Sequence, residues 1–216
     1  MDSIGKDELA GLFRQLRDVF AQQRDFLVDL DAKVGDSDLG LTMKKAFSAA
    51  CESVEANSAD PLGNTLQLAG MAIAKAAPST MGTLTATGFM RGGKAVADAV
   101  RLGTAELGMF WQAYHDGVME RGKARPGDKT VLDVLAPVAA SLGASARSGV
   151  ALPEALMLAT EAAAQGLEAT KNMIAQHGKA ACFQEKSLGL QDAGATVGFL
   201  IIDTMRAFAA QQRSTT

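Results

Sequence analysis

Apolar residues return at steps of three and four along almost the whole chain, in runs long enough for helices and separated by short breaks carrying Gly, Pro, Asp or Asn. Leu9, Leu12, Phe13, Leu16, Val19, Phe20, Phe26, Leu27 and Leu30 form one such stripe, which predicts a long helix over 7–30. Later runs predict helices over 41–55, 65–76, from the PSTMGT turn through 100, 105–120, 131–145 with Pro137 as a kink, from Pro153 to 176, and 196–211. The polar tail 211–216 is expected to fray. Ala, the best helix former, is very common, whereas the strand formers Val, Ile, Tyr and Trp are not. With 48% hydrophobic residues the chain can bury a core and offset its folding entropy. The expected fold is therefore all-α, eight up-and-down antiparallel helices forming a single domain over 1–216. The 22 glycines are the misfit, since a plain bundle needs fewer.

Charge and targeting signals narrow the function. A net charge of −3 argues against nucleic acid as a partner, because phosphate backbones attract basic faces. No run of 18 apolar residues predicts a membrane span, and the charged N-terminus lacks the apolar stretch of a signal peptide. Cys51 and Cys182 stand far apart and outside any CxxC, as expected of idle thiols in a reducing, cytoplasmic compartment.

The chemistry is concentrated in the connections. In an up-and-down arrangement alternate connections fall at one end, and those after the first, third, fifth and seventh predicted helices read DAKVGDSDLG, PSTMGT, RPGDKT and KSLGLQDAGA. Each combines Gly with Asp, Ser, Thr or Lys, so a polar site is expected at that mouth. Asp31, Asp36 and Asp38 lie within eight residues, with Gly35 and Gly40 freeing the backbone around them. Three carboxylates so close repel unless a cation neutralises them, and hard divalent ions take oxygen ligands. The plainer reading is a solvated turn in which Asp38 caps the following helix. PSTMGT places hydroxyls and bare amides at a helix start, where anions are favoured and where Ser79 or Thr80 can also cap. Asp128 of GDKT is expected to cap the helix that follows. His115 and His177 are expected to be structural or exposed, and no Ser/His/Asp or Cys/His set is visible. Lys171, Lys179 and Lys186 are either a solvated face or cations that meet phosphate.

Read in order, DAKVGDSDLGLTM, PSTMGTL, GDKTVLDVLAPV and TKNMIAQHGKAACFQEKSLGLQDAGA resemble the nucleotide-binding L subunit of dihydroxyacetone kinases, over about residues 25 to 205. The resemblance implies a closed barrel of eight antiparallel helices with its site at one end. It implies two Mg²⁺ ions on Asp31, Asp36 and Asp38. It also implies ATP or a tightly bound ADP held by Leu39, Gly40, Leu41, Thr42, Ser79, Thr80, Met81, Gly82, Gly122, Val131, Lys179, Asp192, Ala193 and Gly194. No catalytic residue beyond this metal–phosphate site comes from the chain. A separate K subunit would hold the ketose, a phosphohistidine phosphotransferase subunit is an alternative phosphoryl source to ATP, and a homodimer is compatible. Leu39, Thr42, Lys179 and Ala193 replace the family's usual His, Asn, Arg and Pro, which marks a divergent member and points to a larger ketose such as a four-carbon sugar. Two other readings stay open: a non-catalytic nucleotide sensor of the same fold, and a helical barrel that carries a lipid in its interior.

Overall fold

The computed structural model describes residues 2–211, so the end of the polar tail lies outside the described residues. Among the described residues nine α-helices follow one another: α1 (Lys6–Gln22), α2 (Arg24–Asp31), α3 (Leu39–Ala56), α4 (Leu62–Ala76), α5 (Thr80–Ala95), α6 (Thr104–Gly122), α7 (Leu132–Arg147), α8 (Leu152–Ala169) and α9 (Ala193–Gln211). Each packs on its chain neighbour, α1 also packs on α3, and α9 packs on both α8 and α1, which closes the ring. The up-and-down helices expected from the periodicity and the closed barrel that the resemblance implies are therefore both present.

The first predicted helix is two. It breaks at Gln23, with φ −84° and ψ 3°, although Gln23 N still donates to Val19 O and Gln23 O accepts from Leu27 N. The break lets α2 lean on the start of α3, where a Cβ on Gly40 would stand 2.0 Å from Arg24 O. The helix predicted to reach residue 100 stops at Ala95, because the chain must turn there to pair Leu102 with Ile4. The one predicted to reach 176 stops at Ala169 and passes into a 3₁₀ turn, Thr170–Asn172, whose Thr170 carbonyl turns to a buried lysine. Helices predicted from 65 and 196 start earlier, at Leu62 after Pro61 and at Ala193.

Most glycines lie inside the helices. They let staves approach. A Cβ on Gly88 of α5 would lie 2.3 Å from the Tyr114 ring of α6, and one on Gly63 of α4 would lie 2.6 Å from Ala97 Cα and Gly93 O. Gly166 of α8 sits over the Asp133 carbonyl, the acceptor that Pro137 leaves free by lacking an N–H.

The barrel interior is filled. Phe13, Phe47, Phe89, Phe110, Trp111 and Tyr114 meet edge-on or tilted, and Phe20 stacks on Phe47 at 4.2 Å. The cavity left among Leu9, Phe13, Phe89, Trp111 and Met205 is about 20 Å³, room for one water and far below the ~300 Å³ of a small-molecule pocket. This overturns the reading as a lipid carrier. Among the described residues α9 alone is long and apolar enough to cross a membrane by length and composition. More than half of that stretch is buried as a stave of the barrel, which accounts for its apolarity.

Candidate metal and anion site

All four of these polar, Gly-bearing connections meet at one end. Lys179, after α8, forms an ion pair with Asp36, before α3. His177 Nε2 lies 3.0 Å from Asp128 Oδ2, joining the same segment to the α6–α7 connection. At the start of α9, a Cβ on Gly194 would stand 3.3 Å from Met81 Sδ at the start of α5 and 3.7 Å from Val131 N before α7. Alternation around the ring makes this the end where α3, α5, α7 and α9 all begin.

The three aspartates converge as expected: Asp31, Asp36 and Asp38 each offer a carboxylate oxygen, and these lie within 4.8 Å of one another. The local backbone is built for it. Asp31 Oδ2 accepts from Asp38 N at 3.1 Å and Leu39 N at 3.4 Å, so α3 is capped from seven residues upstream. Asp38 makes no side-chain cap bond, which overturns its reading as a simple cap and leaves its carboxylate to the cluster. A Cβ on Gly35 would lie 2.0 Å from Asp31 Oδ1, so only glycine lets the loop fold over that carboxylate. Ser37, between the other two acids, takes φ +65°, a left-handed backbone that non-glycine residues rarely adopt. The counter-charge in this arrangement is the Lys179 ammonium. Three convergent carboxylates, one already met by a cation, form a donor set that suits a hard divalent ion.

Helix starts supply the second half of the site. Ser79 Oγ accepts from Gly82 N at 3.0 Å, the cap expected for α5. Asp192 Oδ2 accepts from Ala195 N at 2.6 Å and caps α9. Burial raises the Asp192 carboxyl to about 6, against the lowering effects of the Ala195 amide and of Lys129. The amides of Gly40, Leu41, Thr80, Met81 and Val131 meet no acceptor among the described residues, as the opening turns of α3 and α5 and the residue before α7 leave them. Four positive helix ends and free amides around one mouth favour an anion there. Thr42 and Ala193 are half-buried in the first turns of α3 and α9, and Leu39 is buried. Leu41 is exposed, its side chain in the outer groove between α3 and α4 beside Lys44 and Ser48, so what it offers the mouth is its amide. Gly122 ends α6 against Leu84.

The α7 start differs from expectation. Asp128 does not cap it: its Oδ2 accepts from Arg125 N at 2.7 Å and faces His177. Asp133, inside the first turn, accepts from Thr130 N and Gly127 N instead. The spacing Thr130-x-x-Asp133 is a capping-box signature that sequence reasoning could have used. Lys129 was assigned no role, and nothing local marks it, because lysines are almost never fully buried.

The DAK2 domain profile matches residues 33–207. The chain belongs to the DAK2 family. Over 210 residues this DAK2 chain is 33% identical to the ADP-binding subunit DhaL of the PEP-dependent dihydroxyacetone kinase of Escherichia coli K12, across 97% of its own length and 100% of that subunit. It is 32% identical to the L-erythrulose kinase of Pectobacterium atrosepticum, over 92% of its own length but only 34% of that enzyme. The fold matches the crystal structure of the dihydroxyacetone kinase of C. freundii in complex with AMP-PNP and Mg²⁺, with a TM-score of 0.68 and 24% identity, over 92% of this DAK2 chain and 33% of that one. The native form gives a TM-score of 0.70 at 23% identity, over 96% and 36% of the two chains. The DAK2 chain thus spans one whole relative and about a third of the others.

Proposed function

We propose that this chain is the Mg-nucleotide-binding subunit of a dihydroxyacetone-type kinase, presenting nucleotide phosphates at the barrel mouth to a separate subunit that holds a small ketose. The observation that carries the reading is the juxtaposition of Asp31, Asp36 and Asp38 with Lys179 and with the starts of four helices. The carboxylates would hold Mg²⁺, as two ions, and the helix-start amides and Lys179 would hold phosphate oxygens. The Mg²⁺ ions, once bound, supply neutralisation of phosphate charge and polarisation of the transferring group. The chain itself contributes position: Asp31 fixes the start of α3, Ser79 that of α5, Asp133 that of α7 and Asp192 that of α9. Phosphoryl transfer asks mainly for this positioning and charge neutralisation, so the absence of a nucleophile set from the mouth is no obstacle. The relatives support the reading, one being an ADP-binding subunit of a dihydroxyacetone kinase and another an erythrulose kinase.

The test combines the protein with Mg-ATP, a K-type subunit and either dihydroxyacetone or erythrulose, and measures sugar phosphate. Turnover with one ketose supports the reading and names the substrate. No turnover, with Mg-ADP binding intact and a competent K subunit or phosphohistidine donor present, favours a nucleotide sensor.

A further inference from the structure

Lys129 is buried, 2% exposed, on the α6–α7 connection, where its own backbone takes φ +59°. Its Nζ is ringed by four backbone carbonyls: its three hydrogens go to Thr170 at 2.7 Å, Ser187 at 2.7 Å and Leu190 at 2.6 Å, with Met173 at 3.2 Å as a longer, shared acceptor. Two of these belong to the beginning of the irregular stretch between α8 and α9 and two to its end. The ammonium therefore cinches the base of that stretch. Gly189 N donating to Lys171 O at 2.7 Å and Ala175 N donating to Ser187 Oγ at 3.0 Å close the same neck. Beyond the neck the segment forms a compact loop of the Ω type, containing the 3₁₀-rich stretch Lys179–Ser187 with a strained Gln184 at φ 48°. Its far side reaches the rest of the barrel through Lys179 on Asp36 and through Gln176 and His177 on Asp128.

We propose that Lys129 is a positioning residue for nucleotide phosphate: it clamps the neck of the 171–189 loop so that Lys179 is held over the aspartates. The proposal rests on the nucleotide reading of the mouth. Four carbonyls that point at one centre repel one another without a donor between them, so loss of the ammonium opens the neck. Burial lowers the Lys129 pKa, while the neighbouring Asp192 and Asp133 charges favour its charged form. A compact three-donor ammonium suits such a carbonyl nest better than a planar guanidinium.

The experiment follows release of a fluorescent ADP analogue with Mg²⁺ from the full chain, together with hydrogen exchange of residues 174–190. Lys129→Met is expected to release the nucleotide about tenfold faster, the fold-change that loss of one charge-assisted hydrogen bond to phosphate produces. It should also lose exchange protection in 174–190 while α1 to α7 stay protected. Lys179→Met is expected to speed release with the loop still protected. The double variant should release no faster than Lys179→Met alone, since the clamp acts through Lys179. Fully multiplicative effects, wild-type release from Lys129→Met, or unchanged protection of 174–190 would each overturn the proposal. If Lys129→Met does not fold, Lys129→Arg, which keeps the charge, takes its place in the same cycle with the same expected directions. Absence of Mg-ADP binding by the wild type overturns the nucleotide reading and the positioning role with it, while the exchange data still decide whether Lys129 clamps the loop.

Discussion

The two ends of the barrel solve the same problem in opposite ways. At the closed end the connections satisfy one another: Ile4 and Leu102 exchange both backbone hydrogen bonds, Thr104 donates to Val150 O, and Lys6 donates to Ala59 O. Glu8 and Glu106 reach back to accept from Gly5 N and Gly103 N, capping α1 and α6. At the mouth, three carboxylates converge on one centre instead. Every non-glycine residue with a left-handed backbone among the described residues lies there: Ser37, Lys123, Lys129 and Gln184. At the closed end, among the described residues, Gly149 alone adopts that conformation. One end is tied off by bonds between its connections, and the other gathers like charges on a strained backbone, an arrangement that a ligand can complete.

That contrast can be broken by five measurements. Trp111→Ala, in the filled interior, should cost about 3–5 kcal/mol in chemical unfolding and leave the Mg-ADP affinity of the folded protein unchanged. Loss of affinity in step with stability would show that the core and the mouth are one unit. Asp36→Ala should fold as well as the wild type but lose the stabilisation by saturating Mg-ADP, about 2.7 kcal/mol at a hundredfold excess over Kd, read as a vanished shift in Tm. If the variant still responds fully, the three-aspartate site is wrong.

Asp192→Asn separates a cost at the mouth from the pH response of the whole chain. With its folded pKa raised to about 6, Asp192 keeps its proton between pH 4 and 6 while the unfolded chain has released it. Wild-type stability therefore falls relative to Asp192→Asn as pH rises through that window, by about 1–2 kcal/mol in paired denaturant titrations. A constant difference from pH 4 to 7 would refute the assignment. Glu106→Ala should cost about 1 kcal/mol by removing the cap at the closed end, with no change in nucleotide binding. Ser37→Gly should gain a few tenths of a kcal/mol by relieving the left-handed strain, and should loosen Mg²⁺ binding because Asp36 and Asp38 lose a fixed relation. Equal stability and affinity would mean that the strain at Ser37 has no part in the site.

Much of this was legible in the residues. The 3.6-residue period of Leu9, Leu12, Phe13 and Leu16 reports burial directly, and all four are core residues. The spacing of Asp31, Asp36 and Asp38 around Gly35 marked the acid cluster, because a short loop keeps local neighbours together. The break at Gln23 was not legible, since the apolar stripe runs through it and only the approach of Arg24 to Gly40 demands it. Ser79 was read correctly as a cap, whereas Asp128 was not, because its choice between α7 and His177 depends on a segment some 50 residues away in sequence.

By itself, the sequence determined the helices, their alternation and the clustering of Gly, Asp, Ser and Lys in every second connection, because periodicity and capping act over a few residues. Tertiary structure alone decided what most of the glycines do, which is to let staves touch, as Gly88 does under Tyr114. It alone decided that Lys129 is buried and that Lys179 reaches Asp36 across the mouth. Those outcomes depend on groups far apart in the chain meeting in space, where burial, carbonyl repulsion and charge act on partners that no local window contains.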